Sequence, residues 1–204
     1  MVAEILHWHR NHGVIDFAFY DDALLVNARR HIIPILEDLI RRDLKVRFHT
    51  PNAVHIREIT QLTADLMFAA GFETIRLGLE TTAFDKRSNL DHKVNAREFS
   101  RAVACLRQAG FSRNQIGAYL LTGLPDQSLE AVEASIRVVR QAGITPVLAH
   151  YTPIPHTSLW HQATVASRYD LDSDPIFTNN ALFPFRQETF SWQTLTHLKQ
   201  LAAS

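Results

Sequence analysis

Cysteine is almost missing from this sequence: 204 residues carry one, Cys105. One thiol excludes an intramolecular disulfide framework, an all-cysteine zinc site and cysteine ligation of an iron–sulfur cluster by this chain alone. An excess of either charge is missing too. Lysine plus arginine number 21, aspartate plus glutamate 21, and the pI is about 7.2. Such a balance leaves no electrostatic footprint for nucleic acid or an anionic membrane. No apolar run approaches a membrane span, and the N-terminus lacks the apolar stretch of a signal peptide. Neither a Gly-rich phosphate fingerprint nor a Gly-x-Ser-x-Gly elbow occurs. These absences predict a cytoplasmic protein with neither nucleic acid nor membrane as partner.

What is present is ordinary for a globular chain, with 46% hydrophobic and 21% charged residues over a length that suits one domain. A unit recurs in which a helix ends at glycine and a short apolar strand follows: His12-Gly13-Val14, Ala70-Gly71-Phe72, Ala109-Gly110-Phe111 and Ala142-Gly143-Ile144. Alternating helix and strand with few hairpin signals predicts parallel βα units. The strands fall at Val14–Tyr20, Lys45–Thr50, Thr74–Glu80, Ile116–Thr122 and Thr145–Tyr151. Amphipathic spacing predicts helices over Ala3–His12, His55–Ala69, Ala96–Ala109 and Leu129–Gln141. In the second of these, Ile56, Ile59, Leu62, Leu66 and Met67 form the apolar stripe. Asn95 and Glu98 resemble a capping box. Pro34, inside the helical segment Asn27–Arg42, marks a kink or a late helix start. Residues 1–162 read as a partial barrel, and 163–204 as an extension of loop plus a terminal helix near Gln193–Ala202.

In βα barrels, ligand-binding groups gather where strands end. The five predicted strands end in Tyr20-Asp21-Asp22, His49-Thr50-Pro51-Asn52, Leu79-Glu80-Thr81, Thr122-Gly123-Leu124-Pro125-Asp126 and His150-Tyr151-Thr152-Pro153-Ile154-Pro155. Every strand therefore delivers polar groups to one rim.

Four of these segments, in order, resemble signatures of radical S-adenosylmethionine (radical SAM) enzymes: Phe19-Tyr20-Asp21-Asp22, Gly78-Leu79-Glu80-Thr81, Gly123-Leu124-Pro125 and Tyr151-Thr152-Pro153-Ile154-Pro155-His156-Thr157. The branch most similar often carries a cobalamin-binding domain in front. Asp174–Asn180 followed by Pro184 is similar to a tail segment of that branch. The resemblance implies an α/β fold: a partial (β/α) barrel of about five parallel strands with outer helices, lacking the first strand. It implies that Asp21 and Asp22 face the amino group of the methionine moiety, although aspartates there also serve as a helix N-cap pair. Glu80 and Thr81 would lie near the ribose hydroxyls or the carboxylate. Gly123 would allow close backbone approach, with Leu121 and Leu124 near adenine, and Tyr151 and Ile154 would offer backbone groups to adenine. His156 stands where the pattern has glycine.

The family's Cys-x3-Cys-x2-Cys loop, which ligates a [4Fe–4S] cluster, is missing, and Cys105 reads as a small buried side chain within a helix. The resemblance therefore implies a fragment. Its intact parent would bind S-adenosylmethionine and a [4Fe–4S] cluster, with cobalamin as a possible addition, and cleave the sulfonium to a 5′-deoxyadenosyl radical. The chain alone would be inactive. An unpaired edge beside Val14–Tyr20 would favour homo-oligomers. Two alternatives stay open: an unrelated βα-barrel lyase or isomerase using rim carboxylates with His49, His150 and His156, or a non-catalytic barrel serving assembly. His7, His9 and His12 do not share a helix face and predict no metal site.

Overall fold

The computed structural model describes residues 1–84, 94–125, 127–179, 182 and 191–203. Asp126, Asn180 and Pro184 of the patterns above lie outside the described residues. Five strands form: β1 Asp16–Ala18, β2 Arg47–His49, β3 Phe72–Glu80, β4 Ile116–Thr122 and β5 Thr145–His150. They pair in parallel in the order β1-β2-β3-β4-β5. Sequential order with a helix in each crossover is the plan of a (β/α) barrel, here open between β1 and β5 among the described residues.

The helices are α1 Val2–His12, α2 Ile32–Arg41, α3 Gln61–Ala70, α4 Ala96–Ala109, α5 Leu129–Gln141, α6 Trp160–Ala166 and α7 Trp192–Ala203. Gly71, at φ 93, ends α3, and a Cβ there would sit 2.7 Å from the Val46 carbonyl oxygen. Only glycine therefore turns the chain this tightly into β3. Asn95 and Glu98 form the reciprocal cap of α4, at 3.0 and 2.8 Å. Pro34 sits in the first turn of α2, so the late start is the form it takes.

Side chains alternate across the sheet. Ile75, Leu77 and Leu79 of β3, with Ile116, Ala118 and Leu120 of β4, are fully buried under the helices. Phe19, Phe48 and Phe72 join them, with ring centroids 5.4 to 5.6 Å apart. Each of these side chains except Ala118 contributes about 1.5–3 kcal/mol by leaving water. Thr74, Arg76, Gly78 and Glu80 occupy the opposite, inner face and are half-buried.

Two expectations change. The strand predicted over Val14–Tyr20 is ordered as a strand only over Asp16–Ala18, and Asp16 and Ala18 are exposed on its inner side. Its apolar composition serves the helix-facing side alone. The helix predicted over His55–Ala69 breaks in two. Ile56–Glu58 is a 3-10 turn, Ile59 is extended, and α3 starts afresh where Thr60 and Thr63 cap each other. The cap satisfies free N–H groups that a continuous helix would otherwise use. Leu62 of the expected stripe is consequently exposed.

The tail packs back on the barrel. Leu198 of α7 is buried in the main core, α7 touches β5 and α5, and α6 straddles residues 162 and 163. No described helix is long and apolar enough to cross a membrane.

Candidate functional site

The strand ends meet at one rim, but each reaches it differently. After β1, Asp21 Oδ1 accepts the Ala23 N–H at 2.8 Å and Oδ2 lies 3.6 Å from His31 Nε2. Asp21 thus caps a turn rather than a helix, which leaves its carboxylate half-exposed. Asp22 Oδ1 accepts from Asn52 Nδ2 at 2.6 Å, and the same amide donates to the Tyr20 carbonyl at 3.2 Å. Asn52, which the sequence offers only as a loop residue, binds the β1 and β2 ends together.

At the end of β3 the pairing register slips between Gly78 and Glu80. Glu80 has φ 64, and the Thr81 N–H bonds back to the Leu79 carbonyl at 2.7 Å. A glutamate in the left-handed region, closing a three-residue turn, is a strained arrangement of the kind concentrated at ligand sites. Among the described residues the Glu80 carboxylate has no hydrogen-bond or ion-pair partner. It lines a cavity of about 330 Å³ together with Val26, Ala53, His55, Arg57 and Gly78. Gly78 keeps the wall thin, since a Cβ there would lie 3.3 Å from that of Ala53. The next residues are pinned elsewhere: Thr81 Oγ1 accepts the Ala83 N–H at 3.2 Å, while the Thr82 N–H and hydroxyl reach Ser135 Oγ of α5 at 3.2 and 3.1 Å.

The Gly-Leu-Pro turn after β4 is closed by Gln127. Its Oε1 accepts from the N–H groups of Gly123 at 2.8 Å and Leu124 at 3.3 Å, and its Nε2 donates to the Leu121 carbonyl at 2.9 Å. Gly123 has φ 81, and Leu124 is buried. The Gly123 N–H is therefore already occupied. Gln127 has no sequence signal beyond lying four residues on from the glycine.

At the last strand end, the Tyr151 N–H bonds to the Thr122 carbonyl at 2.9 Å, and its ring packs in a small second core with Ala163 and Leu171. Burial pushes the Tyr151 phenol up. Ile154 is exposed, and its carbonyl accepts from Thr157 Oγ1 at 2.7 Å. His156 has φ 66. It takes the left-handed conformation that glycine supplies in the resembling pattern, so the loop shape survives the substitution.

The histidines do not converge. His49 lies on the inner face between Asp16 Oδ1, 3.2 Å, and Thr74 Oγ1, 2.9 Å. His150 contacts Thr122 Oγ1 at 2.9 Å and is held below the usual imidazole range by burial first, then by Lys199 of α7. It therefore faces the helix layer, and His156 is exposed. This arrangement offers nothing to a lyase built on rim histidines. Among the described residues no group of three or more histidine, cysteine, aspartate and glutamate side chains could hold a metal ion. Cys105 lies mid-way along α4, half-buried against the core, far in the chain from any strand end.

The site and sheet define a partial (β/α) barrel with a polar rim. Its backbone matches the radical SAM methyltransferase TsrM from Kitasatospora setae, solved with cobalamin and a [4Fe–4S] cluster bound, with a TM-score of 0.64 and 17% identity over 83% of this chain and 33% of that one. The same enzyme with tryptophan and a SAM analogue matches equally, at 18% identity. Methylornithine synthase PylB matches with a TM-score of 0.59 and 12% identity over 93% of this chain and 48% of that one. Coproporphyrinogen III oxidase HemN from Escherichia coli, a radical SAM enzyme, matches at 0.53 and 18% over 83% and 36%. The chain thus has the barrel fold of radical SAM enzymes and spans about a third of the length of the first of these structures. No family model and no curated protein sequence matches it.

Proposed function

We propose that this chain is the later part of a radical SAM barrel, and that its rim binds S-adenosylmethionine with Glu80 as the main contact. The observation that carries this reading is Glu80: its backbone is strained at φ 64, the residue is half-buried and lines a cavity, and its carboxylate has no protein partner among the described residues. Two acceptor oxygens suit a ribose diol. Asp21 and Asp22, each with acceptor capacity left over, suit the ammonium of the methionine moiety. Tyr151 and Ile154 contribute by shaping the last loop, and Gly123 and Leu124 by a turn that Gln127 holds in place.

The [4Fe–4S] cluster does not fit these residues. Three thiolates are needed and one cysteine is present, in a helix. Cluster-dependent cleavage, and any use of cobalamin, therefore belong to an intact parent, and the chain by itself is inactive in that reaction. We also propose that a second copy pairs with the edge of β1, which is open among the described residues.

Calorimetry with S-adenosylmethionine tests the site. The expected result is weak binding that Glu80→Ala and Asp21→Ala abolish. Affinity at about the micromolar level that survives both substitutions overturns the assignment. Reconstitution with iron and sulfide is expected to leave no cluster absorption band in a monomeric sample.

A further inference from the structure

The inner face of the sheet holds two arginines in opposite electrostatic states. Arg47 is neutralised by Asp16, with Nε to Oδ1 and Nη2 to Oδ2 both at 2.6 Å. Arg76 has no such ion pair among the described residues. Its Nη1 donates to the Ile75 carbonyl at 3.2 Å, and among the described residues no carboxylate pairs with it. Among the described residues, most of its five N–H donors on this half-buried face are thus unspent.

The fold makes room for this guanidinium deliberately. Strand pairing sets Arg76 opposite Gly117. A Cβ on Gly117 would lie 3.0 Å from Arg76 Nη1, 3.1 Å from its Cδ and 2.9 Å from Val147 Cγ2. A side chain at 117 would make Val147 and the Arg76 side chain give way. The nearest polar side chain on that face of β4, Tyr119, spends its hydroxyl on the Pro51 carbonyl at 2.8 Å. A partly desolvated cation with no counter-charge is unfavourable until an anion completes it, and the planar fork matches a carboxylate in bidentate geometry.

We infer that Arg76, seated on Gly117, binds a carboxylate inside the barrel, and that the substrate of this barrel is an acid. The inference deepens the proposed function, because it assumes that the barrel interior holds a ligand, but it does not depend on Glu80. S-adenosylmethionine also carries a carboxylate, so the test separates the two sources.

The full chain is titrated with acetate, and separately with S-adenosylmethionine, while the amide resonances of Gly117 and Val147 are followed by NMR. Acetate is expected to shift both amides saturably, Arg76→Lys to weaken the effect about tenfold, and Arg76→Gln to remove it. Arg76→Gln is expected to leave S-adenosylmethionine binding unchanged, whereas Glu80→Gln weakens it. Acetate shifts that are absent, or that persist in Arg76→Gln, overturn the inference. Equal loss of acetate and S-adenosylmethionine binding in Arg76→Gln overturns the assignment to the substrate. If Glu80→Gln has no effect on S-adenosylmethionine, the proposed cofactor site fails and the Arg76 site stands.

Discussion

Asn52 holds Asp22: the side-chain amide of a residue after β2 donates at 2.6 Å to the carboxylate of a residue after β1. Two loops that would otherwise move separately are thereby tied at the rim. Asn52→Ala is expected to cost about 1 kcal/mol or less, because the contact is partly exposed to water. The effect should be local. Hydrogen exchange of amides 20–23 should quicken while those of β4 and β5 stay unchanged, and a uniform acceleration would show that Asn52 supports the whole fold instead.

Glu80 is expected to behave as a residue kept for binding against stability. Its left-handed conformation costs about 1–3 kcal/mol, and glycine there loses about 0.5–1 kcal/mol through unfolded-state freedom. Glu80→Gly should therefore stabilise the chain by roughly 1 kcal/mol in urea unfolding while abolishing S-adenosylmethionine binding. His156→Gly, at φ 66, should stabilise in the same direction without touching binding.

Asp16 should give the chain an acid-sensitive element. The hydrogen bonds from Arg47 first, then His49, lower its carboxyl from 3.8 to about 2. A depressed carboxylate contributes stability that is fully present above pH 3.8 and is lost as pH falls through about 2. Asp16→Asn should flatten unfolding midpoints across that window.

His150 follows the same sign for a different reason. Burial holds the ring below its ordinary value of 6.5, so the unfolded chain takes up the proton first and stability falls as pH drops through that value. Because burial outweighs Lys199, Lys199→Ala should recover only a small part of the shift in an NMR titration of the ring. Full recovery would mean that the charge, not burial, is the dominant cause.

Among the described residues β1 has one neighbour, and beside it a largely apolar groove of about 280 Å³ is lined by Met1, Ile5, Trp8, Phe17, Phe19 and Tyr20, with Glu4 and Asp21 also on its wall. An open parallel edge of this kind recruits another strand. Light scattering is expected to show concentration-dependent dimers that charged substitutions such as Ile15→Lys dissolve. A monomer at high concentration, with slowly exchanging amides along β1, contradicts the pairing.

Order and type of the strands followed from local rules. Glycine after a helix, alternating apolar residues and the Asn95–Glu98 cap act over a few residues, so the sequence alone determined five parallel strands and most helix ends. It also determined that this chain alone cannot supply three thiolates, since that is a count of cysteines. What lay beyond it was direction and company. His150 and His49 look alike as strand-end histidines, yet one faces the helix layer and the other the inner face, because the two-residue alternation of each strand is set by its register with its neighbours. Whether Glu80 was strained, whether Gln127 or a ligand filled the Gly123 N–H, and whether Arg76 met a carboxylate were decided by tertiary structure, since each depends on groups brought together from distant strands or on a backbone angle imposed by a register shift.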